Sequence, residues 1–340
     1  MNIVKPINNV YASASLLKGK YDILSVLGHG GFGEVYKVKS KQTGELFAAK
    51  QVKISQKDDL EQALNEFLLV SNNLSHPNIV KVFEYEKKED EFVFIMELGQ
   101  CNLKEEIEKI RLTQPFQEDD HIQNSKGIFT FKQTLRIIRD VTSALAYAVK
   151  QNINYGDVKP PNILKFENCY KVADWGTATF KDYGAGSTKT VGSSRSIVGT
   201  LLYMAPELQE IYERDINISV KGMRNAQKIR INFEKTDVFS LGLLILEVYF
   251  GFSRKNLKSI KQKIMDDPKF KVKNLSEMLT KLNMDCDVNF CSLVACMLAL
   301  DHETRPDFST LEAIFLDYDA AVKQVDAKGP NQKPKAKGFF

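Results

Sequence analysis

A chain of 340 residues, 43% hydrophobic and 26% charged, has the length for two lobes with sizeable cores and the composition of an ordinary globular protein. A net charge of +4 is too weak to argue for nucleic acid and tolerates a polyanionic ligand. Five scattered cysteines, none spaced C-x-x-C, point away from a disulfide scaffold and toward reduced thiols.

Residues 1–19 read as a polar leader without a secretory pattern, so the expected compartment is the cytoplasm or nucleus. From Tyr21 the pattern is strand-like. Leu27 leads into Gly28-His29-Gly30-Gly31-Phe32-Gly33, and Glu34 to Lys39 alternates again, with Val35 and Val38 β-branched. A lone G-x-G-x-x-G is weak, and its commonest rival is a Rossmann turn that opens a helix. A second strand after the glycines favours a hairpin whose N–H groups can approach phosphates without Cβ clashes. Leu46 to Val52 is a third strand, interrupted by Lys50. A solvated strand lysine is the plain reading; beside the glycine hairpin, a phosphate-binding lysine is preferred. Asp58 to Asn73 has helical periodicity. Glu66 within it is the candidate partner of Lys50, Glu61 is second choice, and an ordinary surface glutamate is the third reading.

Val80–Glu84 and Phe92–Met96 read as two more strands, and Glu97-Leu98-Gly99-Gln100 as a linker. Leu103–Arg111 is a short charged helix, residues 112–129 a surface insertion, and Phe131–Gln151 a long amphipathic helix. Then comes Tyr155-Gly156-Asp157-Val158-Lys159-Pro160-Pro161-Asn162, whose prolines exclude regular helix and hold three functional side chains on a loop. Ile163–Phe166 and Tyr170–Ala173 are short strands framing Asp174-Trp175-Gly176, where a carboxylate at a strand end can face a metal. A Gly/Ser/Thr-rich stretch ends in Gly199-Thr200-Leu201-Leu202-Tyr203-Met204-Ala205-Pro206-Glu207. Residues 211–235 are basic, read as a solvated loop or, less favoured, a docking surface for an acidic partner. Leu241–Phe250 is an apolar, buried helix too short to span a bilayer. Cys286, Cys291 and Cys296 near His302 could suggest a metal site, but two of them fall in an apolar helical run, so core packing is preferred. Further helices reach about Asp317, and the basic tail 321–340, above all 326–340, reads as disordered.

These segments, in this order, resemble the motifs of the eukaryotic protein kinase family. The loop at 155–162 is similar to H-R-D-x-K-x-x-N with Tyr155 for His and Gly156 for Arg, and Asp174-Trp175-Gly176 is similar to D-F-G. Gly199–Glu207 follows G-T-x-x-Y-M-A-P-E closely, and Arg305-Pro306 resembles the segment whose Arg pairs with that Glu, here Glu207. Each motif alone has a modest false-positive risk; their ordered presence over residues 21–317 has a small one. The chain is thus identified as a member of the family, serine/threonine type, lacking the Arg of H-R-D. The resemblance implies an α+β bilobal fold in residues 20–320. A five-stranded N-lobe with one helix would occupy 20–97, and a larger helical C-lobe 101–320.

It also implies the site. Leu27, Gly28, Gly30, Gly31, Gly33, Val35, Ala48, Lys50, Met96, Glu97, Leu98 and Leu164 would surround ATP, Met96 guarding the pocket behind the adenine. Lys50 would be held by Glu66, Asn162 and Asp174 would hold Mg2+, Asp157 would orient the attacking hydroxyl, and Lys159 would stabilise the γ-phosphate. Thr200 would hydrogen-bond Asp157 and Lys159. Partners implied are proteins with Ser or Thr acceptors, with no specific nucleic acid and no membrane span. Gly156 offers no cation to a phosphate on the activation segment. Tyr155 and Trp175 stand where His and Phe stack in the family, beside residues matching Val70 and Val82, which suggests a repacked column. The competing class is a pseudokinase scaffold; it is disfavoured because Lys50, Asp157, Asn162 and Asp174 are all present. A small-molecule kinase on the same fold is disfavoured by the Gly199–Glu207 segment.

Overall fold

A computed structural model describes residues 19–30, 33–53, 74–87, 91–113, 127–180, 201–221, 231–267, 269–283 and 286–328. The N-terminal part is an antiparallel sheet of β1 (Tyr21–Gly30), β2 (Gly33–Ser40), β3 (Leu46–Lys53), β4 (Val82–Lys87) and β5 (Glu91–Met96), in the order β1-β2-β3-β5-β4. Side chains alternate across β3, so the sheet buries both faces in separate clusters. Ala48 and Val52 pack with Phe92, Phe94 and Met96 on one face, whereas Ala49 packs with Tyr36, Val38, Val93 and Ile95 on the other. Val35 opposes Lys50, and Lys50 opposes Phe94, which puts the lysine on the first of these faces. The helix expected over Asp58–Asn73, with Glu66 and Val70, lies outside the described residues.

A short β6 (Cys101–Asn102) leads into α1 (Leu103–Thr113) and, further on, α2 (Phe131–Lys150). α2 starts where Thr130 Oγ1 accepts from the Gln133 N–H at 3.3 Å and Gln133 Oε1 accepts from the Thr130 N–H at 2.9 Å, a reciprocal cap. β7 (Ile153–Asn154) follows. A single turn at Pro160–Asn162 separates it from β8 (Ile163–Lys165), β9 (Tyr170–Val172) and β10 (Thr179–Phe180). The rest is helical: α3 (Pro206–Lys221), α4 (Phe233–Val248), α5 (Arg254–Asp266), α6 (Val272–Leu282), α7 (Val288–Met297) and α8 (Phe308–Lys328).

α4 is the axis of this half. It is apolar on nearly every side, and its residues from Glu234 to Val248, Lys235 excepted, are buried. Gly242 admits α7 closely, since a Cβ there would lie 2.9 Å from Leu298 Cγ.

Three sequence expectations change. The stretch 112–129 is not wholly a surface insertion: 112–113 close α1, and Ile128 and Phe129 are buried, donating through their N–H groups to the Val248 carbonyl at 3.1 and 3.0 Å. The stretch 211–235 is not a loop throughout, because α3 runs to Lys221 and α4 begins at Phe233. Lys235, counted there as a docking cation, donates instead to the Arg305 carbonyl. Helix α8 continues to Lys328, beyond the boundary expected at 320. Of the two cysteines in the apolar helical run, Cys291 is buried and Cys296 half-buried, and Cys286 before it is buried too.

Candidate active site

The loop between β7 and β8 carries Asp157, Lys159 and Asn162 within bonding distance of one another. Lys159 Nζ lies 2.7 Å from Asp157 Oδ2, and Asn162 Nδ2 donates to Asp157 Oδ2 at 2.8 Å and to its carbonyl at 3.0 Å. Burial pushes the Asp157 carboxyl above the usual carboxylate range, although Lys159 pulls the other way. That direction suits a group that accepts a proton. Asp174 joins the cluster through the backbone: the Ala173 N–H donates to the Asn162 carbonyl at 2.9 Å. Asp174 sits at φ +57, a left-handed conformation uncommon for residues other than glycine. Burial would raise its carboxyl, but the Lys50 ammonium at 2.9 Å, with Lys159 and the Gly176 N–H, holds it below the usual range. Asp174 is therefore ionised, with a cation at its side.

The remaining expected residues divide clearly. Val35, Leu98 and Leu164 are half-buried and pack against the buried cluster that holds Ala48, Met96 and Ala173. Leu27 is 42% exposed on β1 beside Gly28 and Gly30. Gly33, at φ +150, passes so near β3 that a Cβ would lie 1.8 Å from the Gln51 carbonyl oxygen, so only glycine fits. Glu97 is tied at both ends, its N–H donating to the Lys81 carbonyl at 3.0 Å and its carboxylate taking Lys171 Nζ at 2.6 Å. Gly31, Glu66 and Thr200 lie outside the described residues. Among the described residues, Lys50 pairs with Asp174 at 2.9 Å.

Tyr155 and Trp175 meet edge to face, ring centroids 4.8 Å apart at 66°, and both are buried. The Tyr155 hydroxyl donates to the Ala173 carbonyl at 2.6 Å, directly before Asp174. Burial drives the Tyr155 phenol well above its ordinary value, so it is a neutral donor here.

Asp237 of α4 was not singled out from the sequence. It is 2% exposed, and its carboxylate accepts from the Tyr155 N–H at 3.0 Å and the Gly156 N–H at 2.9 Å. Gly156 itself has φ +84. Ser240, one turn on, donates to the Tyr203 carbonyl at 2.7 Å, and the Tyr203 hydroxyl donates to Glu247. The expected Glu207–Arg305 pair is present and bidentate, at 2.7 and 3.0 Å, with Arg305 buried over the Phe239 ring. The only sequence hint of Asp237 was a carboxylate at the start of an apolar helix.

Residues 21–314 match the family model described as "Protein kinase domain". A probable serine/threonine-protein kinase of Dictyostelium discoideum is 27% identical over 329 residues, 94% of this chain and 30% of the relative. The serine/threonine-protein kinase TIO of Arabidopsis thaliana is 30% identical over 76% of this chain and 17% of its own length. PrkC of Bacillus subtilis, also a serine/threonine-protein kinase, is 27% identical over 69% of this chain and 31% of its own. The chain thus spans less than a third of the length of these relatives.

Proposed function

The chain belongs to the protein kinase family, and on that premise we propose that it works as an ATP-dependent kinase that phosphorylates serine or threonine hydroxyls of proteins. The observation that carries this reading is the bonded cluster of Asp157, Lys159 and Asn162, joined to Asp174 by the Ala173–Asn162 backbone bond. Asp157 would orient the acceptor hydroxyl and take its proton. Lys159 and Lys50 would meet phosphate charge from two sides, and positioning with charge neutralisation does most of the work in such transfers. The apolar side chains of Val35, Ala48, Leu98 and Leu164 would suit a planar base. Nothing among these residues favours the pseudokinase reading.

A divalent cation fits the donors present, the Asn162 amide oxygen and the ionised Asp174 carboxylate. Both are hard oxygen ligands, and the Lys50 ammonium beside Asp174 marks the place as one that takes positive charge. We propose Mg2+, which would neutralise phosphate charge there. Turnover of ATP on casein, with wild type against Asp174→Ala, tests the reading. Equal rates in the two, or no turnover with intact folding, would sink it.

The finer proposals concern control. Gly156 carries no cation, so activity should not depend on phosphates at Ser187, Thr188, Thr190, Ser193, Ser194 or Ser196 acting through that position. A large loss of rate after phosphatase treatment would count against this. The expected compartment is the cytoplasm or nucleus, checked by fractionation. An acidic partner on the basic stretch 211–235 is kept for Lys221, Arg224, Lys228 and Arg230, which leaves out Lys235. Binding of a polyglutamate peptide that survives reversal of those four charges would dismiss it.

A further inference from the structure

α5 carries a lysine on its buried stripe. Leu257, Ile260 and Ile264 are buried, and Lys261 among them is only 5% exposed. Its ammonium donates to the Leu201 carbonyl at 2.6 Å. Burial pulls its pKa down to about 8, against the opposing influence of Glu213 and Glu207 on α3. An apolar side chain of similar length would fill the stripe without desolvating a charge, and such replacements are often neutral or stabilising. A charged lysine on this stripe carries a desolvation cost, so the bond it makes is the feature to explain.

Leu201 opens the segment that α4 holds at its other end. Ser240 and Glu247 bind Tyr203, while Asp237, one turn before Ser240, binds the N–H groups of Tyr155 and Gly156. Adjacent turns of α4 thus carry the segment and the loop bearing Asp157. Leu201 and Leu202 are half-buried and directly precede Tyr203, which α4 holds one turn from its bonds to that loop. α4 grips the segment at Tyr203, and α5 grips it at Leu201.

We propose that Lys261 is a positioning residue for the protein substrate: its bond to the Leu201 carbonyl sets the Leu201–Leu202 ledge that an acceptor peptide meets beside Asp157. The proposal rests on the protein-kinase reading above and adds α5 to the substrate-recognition apparatus. Lys261→Met keeps length and removes the donor; Lys261→Gln keeps a shorter donor. With casein as acceptor, Lys261→Met should raise KM for casein about tenfold, the scale of one charge-assisted hydrogen bond. KM for ATP should stay at the wild-type value, and the melting temperature should be equal or higher. Lys261→Gln should fall between. A degenerate Ser/Thr peptide library should show flattened preference next to the acceptor in Lys261→Met. Unchanged KM for casein in both variants overturns the proposal. So does a loss shared by ATP and casein together with a lower melting temperature, which would make the lysine a packing residue. No turnover of casein or library by the wild type sinks the phosphotransfer reading and this proposal with it, whereas wild-type turnover with unchanged variant KM sinks only the latter.

Discussion

Replacing Asp237 by alanine asks where the catalytic loop gets its shape. The loop has two prolines and no regular hydrogen-bond ladder at Tyr155–Gly156, and both of those N–H groups end on one carboxylate at 2.9–3.1 Å. A hydrogen bond to a charged group is worth roughly 1.5–3 kcal/mol, and a buried donor left unpaired loses its full desolvation energy. Two donors therefore predict a loss of about 3–5 kcal/mol in Asp237→Ala. Asp237→Asn retains one acceptor oxygen and should lose about half as much. Urea denaturation at constant m reads this as a lower midpoint. The kinetic effect should exceed the loss of folded protein. A shift of the loop by about 1 Å can cost on the order of 10²-fold in rate, and Asp157 follows Gly156 directly. Stability within about 1 kcal/mol of wild type, with kcat/KM for casein within about twofold, would refute the idea that α4 sets the loop.

Gly156→Ala isolates the backbone. With φ at +84 and the Thr177 carbonyl oxygen 3.4 Å from an added Cβ, no clash arises, so the expected loss of about 1–2 kcal/mol is purely conformational, and no loss in thermal denaturation would count against the left-handed assignment. Tyr155→His and Trp175→Phe should couple by about 0.5–1.5 kcal/mol in a double-mutant cycle, given their edge-to-face contact at 4.8 Å; additive effects would show that the two rings act separately. Lys261 predicts a pH effect on stability. Its folded value of about 8 lies below the usual 10.5, so between those two pH values the unfolded chain holds a proton that the folded chain has released, and stability rises with pH. Below pH 8 the penalty is fully present and on the order of 3 kcal/mol. The wild-type minus Lys261→Met difference in melting temperature across that window measures it, and a flat difference would contradict the burial argument.

Much of this was legible in the sequence because two kinds of signal are local. Alternation of β-branched and aromatic residues places β2 and β3, and with them Val35, Ala48 and Lys50 on one face. The spacing of Asp157, Lys159 and Asn162 is a signature of chemistry, and the structure brings those side chains together. Boundaries failed where an element is short or polar. Ile128 and Phe129 are one apolar pair after a polar run, too brief for periodicity, yet they are pinned to the end of α4. α3 is a charged helix that reads like a loop. Asp237 and Lys261 were missed for a deeper reason. Each is a polar residue on an apolar stripe, which announces a buried partner without naming it. Both partners are backbone groups, and an N–H or a carbonyl has no signature in sequence.

The same reasoning sharpens what Gly156 means. A side chain at this position would have to sit at φ +84, which is unfavourable for any residue with a Cβ. Glycine relieves that conflict, and the N–H it presents is already bound by Asp237. The backbone at 156 is thereby held by Asp237 without a side chain of its own. Tyr155 works in the same direction from the other side: its hydroxyl bonds the carbonyl just before Asp174, so the carboxylate that would face a metal is tied to the loop that carries Asp157. Burial keeps that phenol protonated, so the tie does not loosen across the ordinary pH range, as an imidazole at the same place could. At 155 and 156 the loop is thus held by neutral donors, the Tyr155 hydroxyl and the two N–H groups, on the Ala173 carbonyl and the Asp237 carboxylate.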